Sequence, residues 1–369
     1  MKILQILPEL NAGGVERGTL EIASALVEAG HESAVVSNGG RLVPALEAAG
    51  SRHLALPVHR KSFSSLLQVS RLRRIFEKEK PDIVHARSRV PAWIAWLALR
   101  GMDAKTRPHF MTTVHGFYSI NFYSAIMTRG ERVIAVSECI RDYITVNYPR
   151  TPAEMIRVIP RGVALEESPR GFKPDATWLK TWTEAQPQLA NKTVLLLPGR
   201  ITRLKGHEDF FAMIAGLKAA GVPAHGLVVG DTHPKKKAYL GELRAAVSRL
   251  GLEGDVTFLG HRGDIREIMA VSDVVYCLSV QPESFGRTTL EAFAIGKPVV
   301  GYDHGGVAEQ LRALFPAGAV PLRDIPGLVR ATRVILNTKA VPGVVGSPFT
   351  REAMCAATLA VYHELTAGG

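Results

Sequence analysis

Arg200 and Lys205 stand five positions apart in the run Pro198-Gly199-Arg200-Ile201-Thr202-Arg203-Leu204-Lys205-Gly206-His207. The run follows an apolar, strand-like stretch and precedes an amphipathic one. Arginine offers a planar fork of donors and lysine a compact charge, a pairing suited to a diphosphate. A second run, Glu283-Ser284-Phe285-Gly286-Arg287-Thr288-Thr289-Leu290-Glu291, also joins a strand-like stretch to a helix-like one. Gly286 allows close backbone approach, and the helix start offers unpaired N–H groups to an anion. Glu283 in the loop and Glu291 one turn into the helix are carboxylates that accept hydrogen bonds from sugar-type hydroxyls. Near the start of the chain, Asn11-Ala12-Gly13-Gly14-Val15-Glu16-Arg17 makes a third strand–turn–helix junction. It is neither a GxGxxG fingerprint nor a Walker loop. By itself it reads first as a tight turn.

These junctions need a scaffold of alternating strands and helices. Short apolar stretches at 3–7, 33–37, 82–86, 110–114, 133–136 and 156–159 predict strands buried on both faces. Amphipathic stretches at 16–29, 63–80 and 138–147 predict the helices between them. The alternation pauses between 166 and 192, a segment with Pro169, Gly171, Pro174 and Pro187. It resumes with strands at 193–197, 226–229, 256–259, 274–278 and 298–301, helices at 207–220 and 239–250, and a final helix at 350–365. The expected fold is α/β, with two parallel-sheet, Rossmann-like domains facing a cleft and ligands beyond the carboxyl ends of the strands. The expected boundaries are 1–165, 166–349 and a C-terminal helix at 350–369 that crosses back to the first domain.

Composition narrows the class. The chain has 369 residues, 46% hydrophobic and 21% charged, within the globular range and long enough for two domains. Three cysteines, Cys139, Cys277 and Cys355, are too few and too scattered for a disulfide framework or a zinc site, so a reduced, cytoplasmic setting is expected. Neither a spanning apolar run nor a signal-peptide pattern is evident. The net charge of +11 is uneven: fourteen Lys and Arg against five Asp and Glu lie between positions 41 and 109. That field suits acidic lipid or a phosphorylated substrate, or is simply a solvated basic surface. Nucleic acid fits less well, without zinc-finger, RRM or basic heptad patterns.

Glu283 and Glu291, eight positions apart with Phe285-Gly286 between them, closely resemble the Glu-x7-Glu signature of family 4 retaining glycosyltransferases. Supporting matches are Gly13-Gly14, Gly199-Arg200 through Lys205-Gly206, Phe258-Leu259-Gly260, Glu291-Ala292 through Gly296-Lys297-Pro298-Val299-Val300, and Gly305-Gly306 with Glu309. The resemblance implies a GT-B fold and a nucleotide-sugar donor, UDP-sugar favoured. It implies that Arg200 and Lys205 hold the diphosphate, aided by backbone N–H groups around Phe285, Gly286, Arg287 and Thr288. Glu291 would bond the ribose and Glu283 the transferred sugar. His115, in Thr113-Val114-His115-Gly116, matches the histidine near the reacting centre. Gly13 and Gly14 would close on the phosphates, Glu16 would help place the acceptor, and His261 and Arg262 would approach the base. One departure stands out. Where many members carry Pro-Asn-Gly-Val, this chain has Pro160-Arg161-Gly162-Val163, and Arg161 favours an anionic acceptor.

The implied enzyme is a retaining hexosyltransferase. Neither Asp-x-Asp nor His-Glu-x-x-His occurs in the chain, so no metal and no cofactor are expected. The expected acceptor is a lipopolysaccharide core or another lipid-linked glycan, reached by peripheral binding at an anionic inner-membrane surface. The stretch 63–80 places Phe63, Leu66, Leu67, Ile75 and Phe76 among Arg71, Arg73, Arg74, Lys78 and Lys80. Its apolar residues either meet lipid or pack on the sheet. Alternatives are transfer to a small soluble acceptor, and a GT-B nucleotide-sugar epimerase.

Overall fold

The computed structural model describes residues 1–11, 13–60, 67–231, 237–343 and 346–367. The chain divides into two compact units, Met1–Gly162 with Arg351–Gly369, and Val163–Thr350. Each is built on one parallel sheet.

The first unit has seven strands: β1 (Lys2–Ile6), β2 (Glu32–Ser37), β3 (Arg52–Ala55), β4 (Ile83–Ala86), β5 (His109–Val114), β6 (Arg132–Ala135) and β7 (Ile156–Val158). Their order in the sheet is β3-β2-β1-β4-β5-β6-β7. The order reverses between β1 and β4, and such a switch point opens a crevice at the strand carboxyl ends. Side chains alternate across the strands. Leu4, Ile6, Val84, Ala86, Val114, Val133 and Ala135 face one core with α3 (Leu67–Glu79), α4 (Arg89–Arg100) and α5 (Glu138–Asn147). Ile3, Ile83, Met111, Ile134 and Ile159 face the other with α1 (Gly14–Glu28) and the last helix, α13 (Arg351–Ala367). The C-terminal helix therefore packs on the first sheet, where Met354, Val361, Tyr362 and Leu365 fill that core.

The second unit has six strands in the order β10-β9-β8-β11-β12-β13. They are β8 (Thr193–Pro198), β9 (Ala224–Val229), β10 (Val256–Gly260), β11 (Val274–Cys277), β12 (Val299–Tyr302) and β13 (Ala319–Val320). Its switch point lies between β8 and β11. The helices used below are α6 (Ala176–Ala185), α10 (Arg287–Ala294) and α11 (Gly305–Leu314). Together the two sheets make the GT-B type of fold.

Three elements differ from the sequence expectation. Strand β3 and the short helix α2 (Val43–Ala48) fall where no apolar period is visible, because β3 is the sheet edge and reads Arg-His-Leu-Ala. Strand β13 is only two residues long. In the stretch 63–80, Phe63 and Leu66 lie outside the described residues. Leu72 and Phe76 are core, so most of this helix's described apolar face is occupied by the sheet, although Leu67 is exposed.

Candidate active site

In the second unit, the loop after β8 and the loop after β11 flank the switch point. Lys205 comes from the first and Glu283 from the second. Lys205 Nζ lies 2.5 Å from Glu283 Oε1, and the pair is only about a quarter exposed, 29% and 24%. The same Oε1 accepts from the Ser279 hydroxyl, and Cys277 Sγ lies 3.7 Å away. Burial pulls the Lys205 pKa down, but the charge of Glu283 outweighs it and the net shift is upward. Burial pushes Glu283 up, and Lys205 with the hydrogen bonds from Ser279 and Cys277 overrides it downward. Both groups are thus held charged. Burial also pushes the Cys277 thiol up to about 12, which leaves it protonated and a poor nucleophile. Arg200, at the end of β8, is exposed, and no side-chain partner for it is found among the described residues.

Backbone geometry frames this pair. Gly286 caps α10 with φ 90°, a left-handed conformation. A Cβ there would lie 2.5 Å from Val307 Cγ2. Gly306 donates its N–H to the Glu283 carbonyl at 2.7 Å, and a Cβ on it would come within 2.5 Å of Phe285 Cα. The start of α11 can approach the Glu283–Phe285 loop only because that position is glycine. Gln310, fully buried, fixes the same loop by donating to the Phe285 carbonyl at 2.5 Å. The first-turn N–H groups of α10, those of Arg287 and Thr288, have no intrahelical acceptor available.

In the first unit, the α1/α13 face of the sheet turns polar at the strand carboxyl ends. Alternate positions read Ile3-Gln5, Ile83-His85-Arg87, Met111-Thr113-His115 and Ile159-Arg161. Gln5 donates to the Thr19 carbonyl and accepts from Arg87 Nη1 at 2.9 Å. His85 meets the Tyr362 hydroxyl at 2.8 Å and the Thr113 hydroxyl at 2.6 Å. Arg161 Nη2 lies 2.8 Å from His115 Nδ1. A guanidinium only donates, so Nδ1 accepts and the His115 proton sits on Nε2. That Nε2 is buried and has no partner. Burial, then the charges of Arg161 and Arg87, hold His115 well below its ordinary pKa and therefore neutral.

Residues 12–167 match the model of Glycosyltransferase Family 4, and residues 180–338 that of Glycosyl transferases group 1. The chain carries a family 4 glycosyltransferase domain followed by a group 1 glycosyltransferase domain. Among curated relatives of this glycosyltransferase, the 2-deoxystreptamine N-acetyl-D-glucosaminyltransferase of Streptomyces fradiae is 33% identical over 38% of the chain. That match spans about a third of the relative's length, 33%. The N-acetyl-alpha-D-glucosaminyl L-malate synthase of Bacillus anthracis is 25% identical, covering 83% of the chain and 79% of the relative. Among solved structures, a glycosyltransferase from Rickettsia africae matches at a TM-score of 0.84 and 28% identity, over 99% of this chain and 98% of that one. The fold is also shared with HepE of Anabaena, solved in complex with UDP and glucose, at a TM-score of 0.77 and 21% identity over 98% and 99% of the two chains.

The remaining anticipated residues of the glycosyltransferase fall into two groups. Gly13 and Gly14 open α1, and the Glu16 carboxylate folds against Gly13, where a Cβ would lie 2.5 Å from its Oε2. Arg287 and Glu291 pair with each other at 3.1 Å along α10. His261 is exposed after β10. Arg262 is tied to Asp264 at 2.5 Å, and Asp264 also accepts from the Trp178 indole of α6. The sequence reading did not single out Ser279, Gln310 or Thr289, whose buried side chain lies against Cys277 and lines the pocket beside Lys205 and Glu283. Nor did it single out Arg87. The alternation that places Arg87 on the same face as His115 was its visible signal. Among the described residues no three His, Cys, Asp or Glu side chains gather as a metal-binding group, and no helix is long and apolar enough to cross a membrane.

Proposed function

We propose that the protein moves a hexose from a nucleotide sugar, UDP-sugar favoured, to a lipopolysaccharide-core or other lipid-linked glycan, with retention and without a metal. The unit Val163–Thr350 holds the donor, and the unit Met1–Gly162 with Arg351–Gly369 holds the acceptor. The observation that carries the reading is the charged Lys205–Glu283 pair beside the start of α10, where no side chain caps the helix, and the exposed Arg200.

The chemistry follows from those charges. The anomeric C–O bond breaks, and its electron pair stays on the leaving diphosphate. Arg200, Lys205 and the N–H groups of α10 meet that charge as it develops. Glu283, held ionised, acts as an acceptor for the sugar's hydroxyls rather than as an acid. The acceptor oxygen bonds to the anomeric carbon from the face that the phosphate leaves, and its proton passes to a leaving phosphate oxygen. The His115 Nε2–H supplies a neutral donor near the reacting centre.

Support for a membrane surface comes from a part of the first unit that composition did not mark. Ile120 and Phe122 are 62% and 70% exposed. Phe122 packs on Trp93, and Trp93 on Trp96. Arg129 lies over all three of these rings, and Arg100 over Trp96. Exposed aromatic groups mixed with arginine suit the headgroup region of an anionic leaflet. This gives a protein on the cytoplasmic side, bound peripherally at the inner membrane. A second reading, transfer to a small soluble acceptor, is favoured by the similarity to the malate synthase, whose name gives L-malate as its acceptor. A thermal-shift panel of UDP-, GDP- and ADP-sugars, followed by nucleotide release with and without lipid-linked glycan, tests the proposal. Stabilisation by one nucleotide sugar and lipid-dependent turnover are expected. No stabilisation by any of them would remove the donor assignment.

A further inference from the structure

The run that carries Arg200 and Lys205 holds a third cation between them, Arg203, and its side chain is engaged elsewhere. Arg203 Nη2 lies 2.5 Å from Glu242 Oε2 on α8 (Lys237–Arg249). The guanidinium carbon sits 4.6 Å from the centre of the Tyr239 ring, one turn earlier on the same helix. Tyr239 is buried, and its hydroxyl proton is shared between the two oxygens of Glu208, each 2.8 Å away. Glu208 stands in the first turn of α7 (His207–Ala219), the helix that the run leads into. One buried ring thus ties both the middle of the loop and the start of the next helix to α8. Backbone contacts hold the rest of the loop. The Ile201 N–H donates to the Asp231 carbonyl at 3.0 Å, and the Val280 N–H to the Leu204 carbonyl at 2.8 Å. Gly206 has φ 68°, and a Cβ on it would lie 2.1 Å from the Leu278 carbonyl oxygen. Between Ile201 and Leu204, Arg203 is the side-chain anchor, whereas Lys205 turns to Glu283. An exposed ion pair by itself contributes little, but this one is joined to a cation–π contact with a ring whose own place is fixed.

We propose that Arg203, held by Glu242 and Tyr239, is a positioning residue that fixes the loop bearing Arg200 and Lys205 in its diphosphate-binding shape. The proposal rests on the nucleotide-sugar reading of that loop. Arg203 itself touches no phosphate in this arrangement. Glu242 keeps its charge on α8, and the ligand feels it only through the placement of Arg200 and Lys205. Loosening the anchor therefore weakens the grip on a diphosphate and leaves the grip on a nucleoside unchanged.

Two measurements on the full chain test this. Hydrogen–deuterium exchange without ligand reads the loop directly. Titrations with UDP and with uridine, which lacks the diphosphate, read the consequence. Arg203→Ala should speed amide exchange across 200–206. It should weaken UDP binding by about three- to fivefold, the scale of one exposed ion pair with a cation–π contact, with uridine affinity unchanged. Glu242→Gln should weaken UDP binding in the same direction, and Arg203→Lys should restore most of the loss. Arg203→Ala combined with Glu242→Gln should cost no more than Arg203→Ala alone, because both remove one contact. Unchanged or tighter UDP binding in Glu242→Gln would make Arg203 a phosphate ligand that Glu242 restrains, and would overturn the proposal. Unchanged exchange in Arg203→Ala, or equal losses of UDP and uridine, would overturn it as well. Wild-type UDP affinity in Arg203→Ala removes the positioning role and leaves the donor reading standing. A wild-type chain that binds no UDP removes both.

Discussion

Lys205 and Arg87 are both desolvated cations near the switch point of a parallel sheet, yet the two units treat them in opposite ways. In the second unit Lys205 is matched by Glu283, and the two hold each other charged. In the first unit Arg87 has a neutral amide, a second guanidinium nearby, and a histidine that burial, then the two arginine charges, keep neutral. A compensated pair can meet a ligand that brings both signs of polarity, phosphate for the lysine and hydroxyls for the carboxylate. Arg87 keeps its charge against a neutral amide, with the charges of Glu21 and Glu16 acting on it from beyond hydrogen-bond reach. The same scaffold thus presents a balanced cation, Lys205, and an unbalanced one, Arg87, and the difference lies in whether a carboxylate is in contact.

The strongest way to break this comparison is to unbalance the second site. Lys205→Ala removes a cation that meets developing charge and Glu283→Ala removes the acceptor for the sugar's hydroxyls, and each should lower turnover by about 10²–10³-fold. Steady-state nucleotide release measures it, and near-normal rates in both variants would remove the pair from the chemistry. The framework of that site can be attacked separately. Gly286→Ala forces a Cβ into a φ of 90° and against Val307, and should cost about 1–3 kcal/mol in urea denaturation.

Acidity sharpens the contrast, because the two sites lose their charge states in different windows. Glu283 has a folded pKa below its ordinary 4.5, so its stabilisation is present above that value and is lost as pH falls beneath it. The stability difference between wild type and Glu283→Gln should therefore shrink below about pH 4.5. His115 and His85 are held well below their ordinary 6.5, so the unfolded chain takes up protons that the folded chain refuses. Stability should already decline as pH drops through 6.5, and Arg161→Asn should soften that decline by removing a repelling charge. Denaturation curves between pH 4 and 8 would reveal a single window if the two sites were electrostatically alike. The smallest effect expected is at the aromatic surface. Phe122→Ala and Arg129→Ala should each weaken partition onto anionic vesicles by about 1 kcal/mol, measured by sedimentation at low salt.

The balanced site was far more legible in the sequence than the unbalanced one. Arg200, Lys205, Glu283 and Gly286 lie in two short runs, each spanning a strand end, a loop and a helix start. Local order along the chain carries such a pattern directly. The other site draws Gln5, Arg87, His115 and Arg161 from separate places, and only the parallel register of β1, β4, β5, β6 and β7 assembles them. Read linearly, Arg87 is one of fourteen basic residues between 41 and 109 and disappears into what looks like a charged surface. Its burial distinguishes it, and the alternation that puts it on the His115 face was the one trace of that in the sequence. The same limit applies to the exposed aromatic surface of the first unit. The helix-like stretch at 63–80 drew attention by its mixture of arginine and apolar residues, but Leu72 and Phe76 belong to the core. Ile120 and Phe122, in a loop without periodicity, are exposed, as Leu67 is at the start of that helix.

Calorimetric titration of UDP-glucose into the wild-type chain and into Lys205→Ala tests the central claim, that the balanced pair is the donor site, most directly. Saturable binding by the wild type and at least tenfold weaker binding by the variant are predicted. Equal affinity in the two chains would contradict it.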